Sequence, residues 1–247
     1  MALITIKNAS MGYEGKTILS NMNLKIEEGE YVCIVGENGS GKTTLMKCLL
    51  GLLQVQSGTI EYGDGLKQNE IGYLPQQTVL QKDFPASVIE VVMSGCLNKK
   101  HTLFYSKEQK ETAAKNMELT GIYPYRKKCF RELSGGQQQR AMLARALCAT
   151  HKLIILDEPV TGLDPKAALD MYALIKELNK KGITIVMVSH DVTSAVNNST
   201  KILHLSRSTY FFGTSHQYLH SEIGKKFLIT DCPCDDCQHN HMGGVRK

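Results

Sequence analysis

A glycine-rich segment at residues 36–43, GENGSGKT, carries the residue types that hold phosphate groups. It follows the apolar run 31–35 and precedes residues 44–50, so we predict a strand, a tight loop and a helix. Glycines let successive backbone N–H groups point inward, and the helix start adds the positive end of its dipole. The Lys42 ammonium suits the β- and γ-phosphates of a nucleotide, and the Thr43 hydroxyl suits Mg²⁺. The spacing therefore predicts a nucleoside triphosphate site made of Gly36, Glu37, Asn38, Gly39, Ser40, Gly41, Lys42, Thr43 and Thr44.

Two adjacent carboxylates follow a second apolar run, residues 153–156. Asp157 at the tip of such a strand suits the Mg²⁺ that accompanies the nucleotide. Glu158 is the candidate general base for the water that attacks the γ-phosphate. Adjacent acids at a strand end can also be solvated turn residues. It is their combination with the phosphate loop that favours the catalytic interpretation.

A second glycine-flanked helix start lies at residues 133–137, LSGGQ. Ser134 suits the N-cap position, so this segment is another candidate anion site. One chain seldom needs two such sites for one γ-phosphate, unless the second serves a nucleotide on a partner chain. An ordinary capped helix would account for Ser134 and Gln137 but not for the paired glycines Gly135 and Gly136.

The surrounding pattern predicts the elements that must position these residues. The apolar runs 153–156 and 183–188 are typical of buried parallel strands. Between them, Asp164 and Pro165 predict a helix that ends at Gly182. Residues 3–8, 24–26, 58–62 and 71–74 are predicted strands, with Gly12 and Gly15 marking a turn. Three capping boxes, Ser87/Glu90, Ser106/Gln109 and Ser134/Gln137, predict helix starts between residues 76 and 149.

The composition of the chain limits the classes of function that it can have. The chain has 247 residues, with 42% hydrophobic and 21% charged residues and a formal charge of +5. We expect a protein without a signal peptide or transmembrane helix, because the longest apolar runs are far below the ~20 residues that a membrane helix needs. In the cytosol its eight cysteines would stay reduced. The mild positive charge comes with no nucleic-acid motif, so we predict no nucleic-acid partner.

The three motifs, in this order, resemble those of the nucleotide-binding subunit of an ABC transporter, and the resemblance covers residues 1–215. It implies an α/β, P-loop NTPase fold with a RecA-like core at residues 31–54 and 149–220. It also implies an N-terminal antiparallel β subdomain at residues 1–30 and 55–75 and an inserted helical subdomain at residues 78–148. The ATPase domain would then span residues 1–230.

The resemblance also implies roles for individual residues. Tyr13 would stack on adenine, and Gln76 would approach Mg²⁺ and the attacking water. Asp164 would belong to a loop that crosses a dimer interface, and His190 would be the switch histidine that contacts the γ-phosphate. Members of the family work as head-to-tail pairs, in which the phosphate loop of one chain and Ser134 and Gly136 of the other enclose each ATP. A homodimer is therefore expected.

Residues 81–95 and 134–140 are similar to those of the ATPases of zinc and manganese importers. This resemblance implies integral membrane permease subunits as partners, an extracytoplasmic metal-binding protein as an indirect partner, and a peripheral location on the cytoplasmic face. The cargo could instead be manganese or an iron chelate. Two other classes are a soluble ABC ATPase, which usually carries two cassettes or a coiled-coil insertion, and a small-molecule kinase, which has no use for LSGGQ.

The C-terminal residues 231–247 form a separate tail with closely spaced metal-ligand types. Cysteine and histidine favour zinc over magnesium or calcium. The spacing is tighter than that of a standard zinc finger and lacks a second ligand pair at loop distance. A terminus with reduced thiols that bind metal only adventitiously is an equal alternative. The predicted zinc ligands are Cys232, Cys234, Cys237, His239 and His241.

Overall fold

Two β-sheets and a helical lobe make up the computed structural model, which describes residues 1–76, 85–97, 104–207 and 209–228. The strands, in chain order, are β1 (Ala2–Tyr13), β2 (Lys16–Glu27), β3 (Tyr31–Gly36), β4 (Ser57–Tyr62), β5 (Gly72–Leu74), β6 (Leu153–Asp157), β7 (Thr184–Val188), β8 (Lys201–Leu205) and β9 (Tyr210–Thr214). The helices are α1 (Lys42–Leu49), α2 (Val88–Met93), α3 (Lys107–Leu119), α4 (Gly135–Ala149), α5 (Pro165–Lys180), α6 (Val192–Asn198), α7 (Ser215–His220) and α8 (Glu222–Phe227).

The smaller sheet is antiparallel, with strand order β2-β1-β4. Its first hairpin is longer than the sequence predicted, and the assignment of Gly12 to the turn was wrong. Gly12 lies inside β1 opposite Thr17, and a Cβ there would come within 1.9 Å of the Lys16 carbonyl oxygen. Gly15 does lie in the turn, with a φ of 81°. Gly12 is therefore required for close strand approach rather than for chain reversal.

The larger sheet has the order β5-β6-β7-β3-β8-β9, parallel except for the antiparallel edge strand β9. The central strands β3, β6 and β7 are almost wholly apolar because both faces of the sheet are covered. Residues 72–74 were expected in the N-terminal β subdomain, but β5 pairs with β6 in this sheet. The expectation was wrong there because a short apolar strand carries no sign of which sheet it joins.

The helical lobe contains α2, α3 and α4, and its helix starts agree with the predicted capping boxes. Ser87, Ser106 and Ser134 each occupy the N-cap position with the expected Glu or Gln three residues later. The helix predicted from Asp164 begins at Pro165, and the Asp164 side chain accepts a hydrogen bond from the backbone N–H of Ala167 at 2.9 Å. No helix in the described ranges combines the length and apolarity needed to cross a bilayer.

The order of the parallel strands brings the chemical groups to one sheet edge. Strands β6, β7 and β3 are consecutive neighbours, so their carboxyl ends meet. Gly36 ends β3, Asp157 ends β6, and His190 follows β7 by two residues. Ligand sites in open α/β sheets form at such an edge.

Candidate nucleotide-binding and catalytic site

A cavity of about 390 Å³ lies at the carboxyl edge of the parallel strands. It brings together residues from the phosphate loop, the strand tips and the loop after β5. Its lining in the described part of the chain consists of Ile18, Asn38, Gly39, Gly41, Lys42, Thr43, Thr44, Gln76, Asp157, Glu158, Val188 and His190. The volume falls within the range of small-molecule sites.

The phosphate loop has the backbone that its glycines predict. Gly39 and Gly41 have φ values of 79° and 101°, which residues with a side chain rarely adopt. Lys42 Nζ donates hydrogen bonds to the carbonyl oxygens of Gly36 at 2.7 Å and Glu37 at 2.9 Å. Burial lowers the pKa of Lys42, against the opposing effect of the nearby Glu158 and Asp157 carboxylates. The ammonium is thus held over its own loop, where an anionic ligand would take the place of two carbonyls.

The Glu158 carboxylate is held by donors from three segments. Oε2 accepts from Gln76 Nε2 at 2.9 Å and from Thr161 Oγ1 at 3.1 Å, and Oε1 lies 2.5 Å from His190 Nε2. Only 11% of the side chain is exposed. Its backbone is left-handed, with φ at 49°, and its N–H donates to the Val188 carbonyl oxygen at 3.1 Å. The strained backbone and these donors fix the direction of the carboxylate at the cavity wall.

Asp157 lies next to Glu158 in a partly buried setting. Burial, and then the Glu158 charge, raise the pKa of Asp157, while the Tyr73 hydroxyl, His190 and Lys42 act in the opposite direction. Burial together with Asp157 raises the pKa of Tyr73 to about 12. A divalent cation at Asp157 would relieve this charge crowding, and the oxygen donors Asp157 and Thr43 in the cavity lining are the type that Mg²⁺ prefers. The site therefore fits Mg²⁺.

The LSGGQ segment lies elsewhere on the same chain. Ser134 caps α4, with its Oγ accepting from the Gln137 N–H at 3.4 Å and its own N–H donating to Gln137 Oε1 at 3.1 Å. A Cβ built on Gly135 would meet Leu163 at 3.6 Å, and one on Gly136 would meet Ala167 at 3.2 Å. The start of α4 therefore packs beside the loop that leads to Asp164. None of these residues is among the cavity's lining in the described ranges.

Two other residues predicted to contact the nucleotide, Tyr13 and Ser40, also lie within the described residues. Tyr13 ends β1, is 38% exposed, and has Lys47 Nζ 5.5 Å from its ring centroid, so α1 supplies a cation on the tyrosine. Ser40 is buried in the phosphate loop. Residues 81–84 and the predicted zinc ligands of the tail lie outside the described residues.

Sequence reasoning assigned no role to several residues of the site. Thr161 bonds the Glu158 carboxylate, Tyr73 lies against Asp157, and Ile18 lines the cavity from β2. Thr161 follows Glu158 by three residues in a tight turn, closed by a hydrogen bond between Thr161 N–H and the Glu158 carbonyl. That spacing is the signal that could have found it. Ile18 gives no such signal, since only the fold brings β2 to the cavity.

The phosphate loop, the paired strand-tip carboxylates and the strand order together are those of a P-loop NTPase. A family model described as ABC transporter matches residues 19–161. The zinc uptake system ATP-binding protein ZurA of Listeria innocua is 36% identical over 233 residues, covering 88% of each chain. The manganese transport system ATP-binding protein MntB of Bacillus subtilis is 36% identical over 214 residues, covering 85% of this chain and 86% of its own.

A solved structure supports the same assignment at the level of the fold. An inward-facing structure described as a metal-chelate type ABC transporter is 27% identical, with a TM-score of 0.81 over 90% of this chain and 87% of its own. The chain belongs to the ABC transporter family, and it is an ATPase of that family.

Proposed function

We propose that this chain is the ATP-hydrolysing subunit of a metal-ion importer whose cargo is zinc. The observation that carries the ATPase part is the Glu158 carboxylate, fixed by Gln76, Thr161 and His190 in the cavity that also holds the phosphate loop. Such a carboxylate is placed to accept a proton from a water attacking the γ-phosphate. Phosphoryl transfer needs mainly positioning and charge stabilisation, which these groups supply.

The residues of the site then take distinct roles. Lys42 and the loop amides of Gly39 and Gly41 hold the phosphates, and Tyr13 holds the adenine by stacking. Thr43, Asp157 and Gln76 would be the protein ligands of Mg²⁺, which neutralises charge on the phosphate oxygens when it is bound with ATP. Glu158 is the base, and His190 and Gln76 orient the γ-phosphate and the water. Lys42 must leave its two loop carbonyls to bind the nucleotide.

The active form in this proposal is a homodimer bound to membrane permease subunits at the cytoplasmic face. Within one chain, Ser134–Gln137 lie beside residues 163–167 rather than among the cavity's lining. A head-to-tail pair would bring this helix start of one chain to the nucleotide of its partner. Asp164 would then lie at the interface between the chains. An extracytoplasmic metal-binding protein would deliver the cargo to the permease.

Glu158→Gln should separate ATP binding from hydrolysis. Glutamine keeps the shape and can still accept from Thr161, but it is a far weaker base than a carboxylate. We expect ATP affinity to change little and turnover to fall by a factor of about a hundred or more. Equilibrium binding of labelled ATP and release of phosphate measure the two. Lys107→Asp, at an exposed side chain of α3, is a control that should hydrolyse ATP normally. Normal turnover in Glu158→Gln would contradict the assignment.

The cargo is argued from the relatives, which are named for zinc and for manganese at equal identity. Zinc is preferred because of the cysteine and histidine residues of the tail. The test is uptake of radiolabelled zinc, manganese and iron by cells whose sole copy carries Glu158→Gln, compared with wild type. Selective loss of zinc uptake supports the proposal. Selective loss of manganese or iron-chelate uptake assigns that cargo instead. Unchanged uptake of all three would mean that the assignment to the zinc and manganese importers is wrong.

We also propose that Cys232, Cys234, Cys237, His239 and His241 bind zinc and reduce ATPase activity when cytosolic zinc is high. The proposal is based on ligand chemistry alone, since thiolate and imidazole favour zinc over Mg²⁺. The ATPase rate of the full chain and of a chain lacking residues 231–247 would be compared across zinc concentrations. Equal zinc inhibition of both proteins would rule out a regulatory tail.

A further inference from the structure

Two histidines lie one turn apart on α7, outside the nucleotide site. His216 and His220 are both exposed, with ring centroids 4.7 Å apart and ring planes tilted by 56°. Residues four apart in a helix share one face, so both imidazoles project from the same side. This spacing lets one helix offer two nitrogen ligands to a single metal ion. We propose that His216 and His220 form a transition-metal site for zinc-class ions.

The helix that carries the pair is fixed at its start. Thr214 caps α7, and its Oγ1 accepts from the Gln217 N–H at 3.1 Å. In return, Gln217 Oε1 accepts from the Thr214 N–H at 2.9 Å. This capping box stabilises the short helix α7. The spacing of the two histidines therefore does not require a bound metal ion to form the helix.

The opposite face of α7 is also fixed. Tyr218 is two residues from each histidine, hence about 200° around the helix from both. It is fully buried, and its hydroxyl lies 2.7 Å from Nδ1 of His204 on β8. Because Tyr218 anchors the buried face of α7, the two histidines lie on its exposed face and on a fixed backbone. Preorganised ligands lose less conformational freedom when they bind.

The ligand chemistry selects the ion. Imidazole nitrogen favours Zn²⁺, Cu²⁺ and Ni²⁺, whereas Mg²⁺ and Ca²⁺ prefer oxygen and Mn²⁺ is at the weak end of the divalent series. The Mg²⁺ that accompanies ATP therefore does not compete. Among residues 1–76, 85–97, 104–207 and 209–228, no group of three or more His, Cys, Asp or Glu is placed to hold a metal. Two protein ligands with water completing the shell give reversible rather than structural binding.

The position of the pair links it to the phosphate loop. Through Tyr218 and His204, α7 packs on β8, and His204 is paired in register with Val35 of β3. Strand β3 leads directly into the phosphate loop at Gly36. A single strand, β8, thus lies between α7 and the strand that leads into the phosphate loop. The site itself does not depend on which cargo the transporter carries.

The test uses the full chain with the five tail ligands replaced, the cysteines by serine and the histidines by alanine. Zinc chloride or nickel chloride is titrated by calorimetry in excess Mg²⁺. We expect one saturable site, lost in a His216→Ala/His220→Ala double variant and kept in His151→Ala, the matched exposed histidine. Binding should also weaken as the pH falls, because protons compete with the metal for imidazole. Equal zinc affinity in the double variant would overturn the proposal.

A second measurement avoids the risk that substitutions disturb α7. In the tail-substituted protein with both histidines in place, the imidazole ¹⁵N resonances of His216 and His220 should shift together on addition of zinc. Added Ca²⁺ should leave both unchanged. Resonances that stay in place at saturating zinc would refute the proposal even if the double variant failed to fold.

Discussion

At the scale of single residues, the orientation of Glu158 depends on Thr161 as well as on Gln76 and His190. The Thr161 hydroxyl donates to the same carboxylate oxygen as Gln76. Thr161→Val keeps the side-chain shape and removes this donor. We expect kcat to fall about tenfold with KM for ATP unchanged, since a hydrogen bond to a charged group contributes about 1.5 kcal/mol. Thr161→Ser should restore kcat. A change in KM alone, or an equal defect in the serine variant, would argue against a positioning role.

The site residues that could be predicted from the sequence are those that belong to local motifs. Lys42, Asp157 and Glu158 are recognisable because a strand and a loop of fixed length suffice to place them. Thr161 and Tyr73 contribute through contacts with those residues, and Ile18 through the approach of a different sheet. Such contacts depend on tertiary packing, and a single sequence carries no record of them.

Asp157 illustrates a site group that opposes stability. Burial and the Glu158 charge raise the pKa of Asp157. The folded protein therefore holds the carboxyl proton of Asp157 more tightly than the unfolded chain does. Stability therefore falls as the pH rises through the folded pKa of Asp157. Asp157→Asn should raise the free energy of unfolding at neutral pH without nucleotide, by about 0.5–2 kcal/mol. The gain should shrink as the pH falls below that pKa. Denaturant titrations at several pH values measure it, and a destabilised variant at neutral pH would contradict it.

At the scale of elements, the sequence predicted helix starts better than sheet membership. Capping boxes are local, so Ser87, Ser106 and Ser134 each marked a helix correctly. Strand pairing is non-local. The three residues of β5 pair with β6, some eighty positions away in the chain, and nothing in residues 72–74 states that choice.

The contact between α7 and β8 joins the C-terminal helices of the described residues to the larger sheet. His204 is fully buried, and burial lowers its pKa, so the ring is neutral and relies on the Tyr218 hydroxyl at 2.7 Å. Tyr218→Phe leaves the His204 nitrogen without this partner and should cost about 1–3 kcal/mol of unfolding free energy. Adding His204→Leu should recover much of the loss, because both polar groups are then gone. Exposed Tyr13→Phe is the control. Additive losses in the double variant would show that the two side chains are not coupled.

At the scale of the whole molecule, the described part of the chain contains two glycine-flanked helix starts, at α1 and α4, that do not line one cavity. The start of α1 lies at the cavity, while the start of α4 lies beside Leu163 and Ala167. A second chain related by a two-fold axis would bring its α4 start to each cavity, and the contact would be the same in both directions. This arrangement accounts for glycines at both helix starts, since each backbone would approach a phosphate closely.

Gly135→Asp tests this arrangement with little disturbance of the single chain. A Cβ at Gly135 meets only Leu163, at an ordinary 3.6 Å, and an acid in the first turn favours a helix. Facing the partner's γ-phosphate, the same acid would repel it. In a Glu158→Gln background with ATP, we expect light scattering to show dimers, whereas added Gly135→Asp should give monomers with unchanged ATP affinity and unfolding midpoint. Lys107→Asp, an acid at the same position of α3, should leave the dimer intact. Dimers that persist in Gly135→Asp would mean that the start of α4 does not face the partner's nucleotide.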